Sequence, residues 1–352
     1  MQSELKIFSK VHDTKSLVMF KITMVPPIIR SSIKALTCAG ILLTSLFAIS
    51  AQSDTFDELL ANAVKGNASS QFNLAFKYMY DAEIPKNKSE AIKWYTASAR
   101  QGLLEAQFNL ALLYLEDGYL SNAIYWMKFA AEQEHADAQY NLGMIYLNQN
   151  TPNARTETEK WLELAASQNH SAAQFQLGLI YLDDPTRDNE KAFKWFLSAA
   201  ENGLAGAQFN VGLAYWRGDG MVSVNKRKAA QWFEAAAKQG DANAQNLLGM
   251  MLAMGDGIKR NDQQSFKWLD KAARQGNSQS QLLVGSFYAG DKVVKWDLIQ
   301  AYAWFRIALD SGNEDARSEL NYLKTLMTKK QITKGEQLAD KCYSSNYVNC
   351  KN

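Results

Sequence analysis

The side chains that most often carry chemistry are scarce in this chain of 352 residues, which has three histidines and three cysteines. His12 lies in an amino-terminal stretch read below as a leader. His135 and His170 occupy equivalent places in neighbouring units, where stacking would bring two imidazoles near each other. A transient metal site is one reading of that pair, and two solvated turn histidines are the other. Zinc needs a third or fourth ligand that neither place offers. Gly218-Asp219-Gly220 and Gly255-Asp256-Gly257 resemble pieces of calcium or phosphate loops. They lack the five-oxygen spacing and closing Glu of an EF-hand and the Gly-Lys-Ser/Thr of a P-loop, so they read as turns. Asp183-Asp184 is a carboxylate pair in a loop, whereas glycoside hydrolysis needs two carboxylates facing across a cleft. No Gly-x-Ser-x-Gly elbow or Ser-x-x-Lys motif stands in a setting that would make a nucleophile. The expectation is no catalytic residue, no cofactor and no metal.

The elements that would position any site come from a repeat. Trp94, Trp126, Trp161, Trp195, Trp232, Trp268 and Trp304 are separated by 32, 35, 34, 37, 36 and 36 residues. A fixed period of that size marks a stacked architecture. A glutamine recurs at Gln71, Gln107, Gln139, Gln174, Gln208, Gln245 and Gln281, followed at fixed offsets by Leu or Val, a Gly or Ala, and in six units a Tyr. These offsets share one helical face. The second half of each unit, such as AAQWFEAAAKQG, has the same period. It ends at Gly102, Glu134, Asn169, Gly203, Gly240, Gly276 or Gly312, the place of a helix stop. Each unit is therefore helix A, a loop, helix B and a turn. Glycine inside helix A costs about 1 kcal/mol against alanine. Its recurrence at Gly143, Gly178, Gly212, Gly249 and Gly285 points to a closely crossing helix, with the Ala pairs of helix B as the matching surface.

AQFNLALLY at 106–114, AQFNVGLAYWRGDG at 207–220 and KAAQWFEAAAKQGDANAQ at 228–245 resemble Sel1-like repeats, relatives of the tetratricopeptide repeat. The resemblance covers seven units over residues 68–312. It implies an all-α, α/α superhelical solenoid and an adaptor or scaffold role. Units two to four depart from the family pattern in having short loops without its Gly-x-Gly. Some cysteine-rich relatives are linked to penicillin binding, but they carry a disulfide in each repeat, and this chain has none within its repeats.

Residues 54–67 read as a lone helix B capping the amino-terminal end, and 313–341 as carboxy-terminal capping helices, the last N-capped by Thr328. Residues 54–341, without a Pro/Gly/Ser linker, read as one continuous right-handed superhelix. In the leader, Arg30 and Lys34 precede the uncharged stretch Ala35 to Ala48 and small residues up to Ala51. That is the order of a cleavable signal peptide over residues 1–51, with 1–23 read as a start-site artefact. The apolar stretch is short for a spanning helix, so export to the periplasm or medium is favoured over an amino-terminal membrane anchor. Cleavage leaves Cys342 and Cys350, an even pair in an exported chain, which reads as a disulfide closing the tail 342–352. Two free thiols in a frayed tail are the alternative. The whole chain holds 38 basic and 36 acidic residues, and the leader takes six and two of them. The near-neutral remainder gives no electrostatic footprint for nucleic acid.

Helix A also carries a second apolar stripe, opposite its Leu/Gly/Tyr face. The expected partner contacts are Phe72, Phe108, Leu112, Tyr140, Met144, Phe175, Phe209 and Trp216. Amides beside the stripe, Asn73, Asn109, Asn141, Gln176 and Asn210, are suited to bonding a peptide backbone. The stripe reads as a groove for a segment of another envelope protein, on the concave side by analogy with tetratricopeptide stacks. Burial between adjacent units is the competing reading, because a helix apolar on nearly all sides is usually buried. The functional expectation is a non-catalytic envelope scaffold with no integral membrane association after cleavage. The alternative from another class is an envelope hydrolase or peptidoglycan-binding protein. The tryptophan column is expected to be buried, with Trp195→Ala costing about 3–5 kcal/mol.

Overall fold

The computed structural model describes residues 55–149, 151–182, 188–218, 222–290 and 293–350. The leader with His12 and Cys38, the Asp183-Asp184 pair and the Asp219-Gly220 part of the first Gly-Asp-Gly loop lie outside them. The described residues form seventeen helices and no strand. A lone helix α1 (Phe56–Val64) precedes seven hairpins of helix A and helix B. They are α2 (Ala68–Tyr80) with α3 (Lys88–Ala99), α4 (Leu104–Glu116) with α5 (Leu120–Glu132), and α6 (Ala136–Leu147) with α7 (Ala154–Ser167). Then come α8 (Ser171–Leu182) with α9 (Asn189–Glu201), α10 (Ala205–Arg217) with α11 (Lys226–Lys238), α12 (Ala242–Met254) with α13 (Asp262–Ala273), and α14 (Ser278–Ala289) with α15 (Leu298–Asp310). Two further helices close the chain, α16 (Ala316–Leu326) and α17 (Lys329–Ser344). The chain divides into two compact bodies after Leu164, inside α7. Within each body, helices adjacent in sequence pack on one another.

The punctuation follows local chemistry. All seven expected stop residues have left-handed backbones, from φ 62° at Asn169 to φ 99° at Gly240. Glycine adopts this conformation without Cβ strain, and Glu134 and Asn169 are the two places where another residue accepts it. Helix A then restarts on a side-chain cap at Asn67, His135, His170, Asp241 and Asn277, each accepting a backbone N–H three residues on. Thr328 caps α17 reciprocally with Gln331, as its position suggested. That helix runs beyond residue 341 to Ser344, so Cys342 is helical. In α16, Ala316, Leu320 and Leu323 join the core with Met327, but Leu326 is exposed.

The tryptophans are not the innermost column. Trp161 and Trp304 are buried, and the other five are half-buried. The fully interior column is the residue after each tryptophan: Tyr95, Met127, Leu162, Phe196, Phe233, Leu269 and Phe305, all buried. These side chains explain the helix-A glycines. A Cβ placed on Gly143, Gly178, Gly212, Gly249 or Gly285 would stand 2.6–2.8 Å from Leu162, Phe196, Phe233, Leu269 or Phe305. The close approach is therefore a large wedge from helix B entering the notch left by glycine, rather than backbone meeting backbone through the Ala pairs.

The glutamine column is a set of ties. In all seven repeats its Nε2 donates to a carbonyl near the end of the preceding helix B: Ala63, Ala99, Ala131, Ala166, Ala200, Ala237 and Ala273. This satisfies an acceptor that a helix end otherwise leaves open. In five repeats its Oε1 accepts from an amide at the end of its own helix B: Gln101, Gln133, Asn202, Gln239 and Gln275. The seventh repeat has Ser311 there, too short to reach, and Gln281 Oε1 is buried without a partner. Ser311→Gln should complete the tie and stabilise the protein by about 1 kcal/mol, the scale of one satisfied buried acceptor. Chemical denaturation reads the gain; an unchanged midpoint would show that Gln281 Oε1 is satisfied by other means.

Candidate functional site

The stripe on helix A is built by the same register that sets the core. Its first position leans inward. Phe72 packs on Tyr95 at a ring separation of 5.5 Å, Phe175 on Phe196 at 5.5 Å and Phe209 on Phe233 at 5.8 Å. Phe108 is buried and stacks on His135 at 4.6 Å, and Leu112 is buried beside it. Tyr140 and Met144 are half-buried, and burial holds the Tyr140 phenol above its ordinary pKa, so it stays protonated. Trp216 is half-buried with the Lys226 ammonium over its ring at 4.5 Å. The open part of the stripe lies one and two turns further along. Phe76 is 41% exposed and pairs with Tyr80 at 4.9 Å, while Leu147 and Leu179 are each 38% exposed.

Among the flanking amides, Asn73 is exposed, and Asn109, Asn141, Gln176 and Asn210 are half-buried. Asn141 donates to the Asp137 carbonyl and Asn210 to the Gly206 carbonyl, both at 2.8 Å. Phe76, Leu147 and Leu179 lie on the stripe as the sequence shows it, at four or seven residues past its first position, but were not among the expected partner contacts, and Tyr80 lies beyond it. Exposure is not set by offset alone, since Leu112, four residues after Phe108, is buried, whereas Phe76 and Leu179, four after Phe72 and Phe175, are exposed.

His135 and His170 each accept a backbone N–H at Nδ1, which places the ring proton on Nε2 and makes both of them helix caps. Among the described residues no group of three or more His, Cys, Asp or Glu is placed to hold a metal. The second Gly-Asp-Gly loop is structural. Gly255 and Gly257 are left-handed, and a Cβ on Gly257 would stand 2.5 Å from the Lys226 backbone, while Asp256 pairs with Lys226 at 3.1 Å. No described helix is long and apolar enough to cross a membrane.

Cys342 and Cys350 are joined in a disulfide, with Cα atoms 4.4 Å apart and both residues buried. The closed loop is docked by Arg274, whose Nη1 donates to the carbonyls of Tyr347 and Val348 while its Nε holds Asp270.

The family model for the Sel1 repeat matches seven times, at residues 68–103, 104–135, 136–170, 171–204, 205–241, 242–277 and 278–313. The chain is similar to the crystal structure of c5321, a protective antigen present in uropathogenic Escherichia coli strains and displaying an SLR fold. The identity is 29% and the TM-score 0.71, over 83% of this chain and 64% of that one. The chain thus spans less than two thirds of that relative's length. It is also similar to a Sel1 repeat protein from Oxalobacter formigenes, at 30% identity and TM-score 0.60, over 82% of this chain and 89% of that one. No curated protein matches in sequence.

Proposed function

The chain belongs to the Sel1 repeat family, and on that premise we propose that it is a non-catalytic scaffold of the bacterial cell envelope. It holds a segment of another envelope protein against the helix-A stripe. Proteins built from these repeats are generally protein-interaction scaffolds. The observation that carries the reading is the open part of the stripe, where Phe76 on α2 and Leu147 on α6 in one body, and Leu179 on α8 in the other, offer apolar side chains to solvent. Flanking amides fixed to their own helix, such as Asn141 and Asn210, keep an oxygen available to accept a peptide N–H. The envelope address is supported by the Cys342–Cys350 disulfide, which persists in oxidising compartments, and by the leader-like order of residues 30–51.

Photocrosslinking in intact cells tests the assignment. A photoreactive residue at Leu147 or Leu179 is expected to give a discrete adduct with one envelope protein. The same residue at Lys194, exposed on helix B, is expected to give none. Adducts from Lys194 alone would place the binding face elsewhere.

A further inference from the structure

A cavity of about 640 Å³ lies where the fifth repeat meets the sixth, inside the carboxy-terminal body. One wall is α11, which contributes Arg227, Gln231 and Glu234. The other is the loop after α12, which contributes Gly257, Ile258 and Lys259. Arg227, Gln231 and Glu234 follow at offsets of four and three, so they form one stripe along their helix. The loop is pressed onto the start of that helix at Gly257, where a Cβ would stand 2.5 Å from the Lys226 backbone. The two walls are therefore held in register by the packing of one repeat on the next.

The charges of this corner do not balance. Asp256 pairs with Lys226 at 3.1 Å, Asp262 with Arg260 at 2.8 Å, and Glu234 with Lys238 at 2.7 Å. Each of these carboxylates is matched by a cation of its own. Arg227 and Lys259 are left over: both are exposed, and neither stands in an ion pair among the described residues. The corresponding corner between the first and second repeats is settled differently. Lys88, which opens α3 as Lys226 opens α11, is held by Glu116 at 3.0 Å and by Asp117, and Ser89 stands in the place of Arg227. There two carboxylates answer one cation. In the fifth and sixth repeats two cations face one cavity unanswered, and a cleft lined by one sign of charge concentrates ions of the other.

We propose that this corner binds a phosphomonoester carried on a sugar or polyol. Two uncompensated positive charges match the charge of about −1.5 to −2 that such a phosphate carries at pH 7, whereas a carboxylate would answer only one of them. The Arg227 guanidinium can take two phosphate oxygens at once, and the Lys259 ammonium adds a point charge from the opposite wall. Gln231 and Glu234, one and two turns further along α11, present an amide and a carboxylate to the hydroxyls of the carrier. The cavity has the size of a small-molecule site. Soluble sugar phosphates and phosphate-bearing lipid headgroups share this chemistry, and the test separates them. The site uses no residue of the helix-A stripe, so its failure would leave the scaffold assignment untouched.

Two assays on the purified protein test it: calorimetric titration with glucose 6-phosphate against glucose, and flotation with phosphatidylcholine vesicles with and without phosphatidic acid. Binding of the sugar phosphate but not of glucose marks a soluble ligand. Binding to the phosphatidic acid vesicles alone marks a lipid headgroup. In either case Arg227→Gln and Lys259→Gln should each weaken binding by about tenfold or more, while Lys194→Gln, at an exposed lysine of α9, should leave it unchanged. All three side chains are exposed, so the melting temperature should not move. Binding to neither probe, glucose bound as tightly as its phosphate, or binding that Arg227→Gln and Lys259→Gln reduce no more than Lys194→Gln does, overturns the proposal.

Discussion

Phe196→Ala is expected to cost about 3–5 kcal/mol, because it removes a buried wedge and leaves the notch at Gly178 empty. Trp195→Ala, one residue earlier, is expected to cost roughly half of that, since the indole is half-buried and less apolar area returns to water. The order of the two reverses what the tryptophan column suggests. Denaturation by urea reads the totals. Hydrogen exchange reads the distribution, because a stack of repeats loses protection first at the damaged repeat and its neighbours. Loss centred on α8 to α11 agrees with a wedge in that repeat. A Trp195→Ala variant as damaged as Phe196→Ala would return the tryptophans to the centre of the core.

The misplacement of the core has a simple cause. Trp195 and Phe196 differ by 100° around helix B, and both belong to columns with the helical period. The tryptophan column shows itself by identity. The wedge column reads Tyr, Met, Leu, Phe, Phe, Leu, Phe, so it is matched in volume and escapes a search for recurring letters. The glutamine column was visible, but its role was not. One acceptor lies eight residues back, across a turn, and the donor to its oxygen lies 26 to 31 residues on, a contact only the stacked structure creates. Features that depend on one residue and its neighbours were legible: the seven left-handed stops, the lone helix α1, the Thr328 cap and the Cys342–Cys350 pair. The stripe on helix A was legible as a stripe. Which of its rings turn inward depends on the wedges they meet.

Removing the disulfide should have the second-largest effect. Cys342→Ser with Cys350→Ser frees a loop with a sequence separation of eight residues. In the chain-entropy model that costs about 2–3 kcal/mol. The freed segment also carries the Tyr347 and Val348 carbonyls that Arg274 holds, so the loss should be felt at α13 as well as at α17. The wild type under reducing conditions should melt like the double variant, with the carboxy-terminal repeats losing protection first. A midpoint unchanged by either treatment would mean that the burial of residues 342–350 alone holds the tail in place.

The claim that this protein acts by holding another along helix A is tested most directly by affinity. With the partner captured by crosslinking at Leu147 or Leu179, its binding to wild type is compared with binding to a Phe76→Ser, Leu147→Ser, Leu179→Ser variant. All three side chains are exposed, so the variant should keep its melting temperature. Binding is predicted to weaken by about a hundredfold, roughly 1 kcal/mol for each truncated contact. An affinity equal to that of wild type, with the fold intact, would contradict the assignment of the helix-A stripe as the binding face.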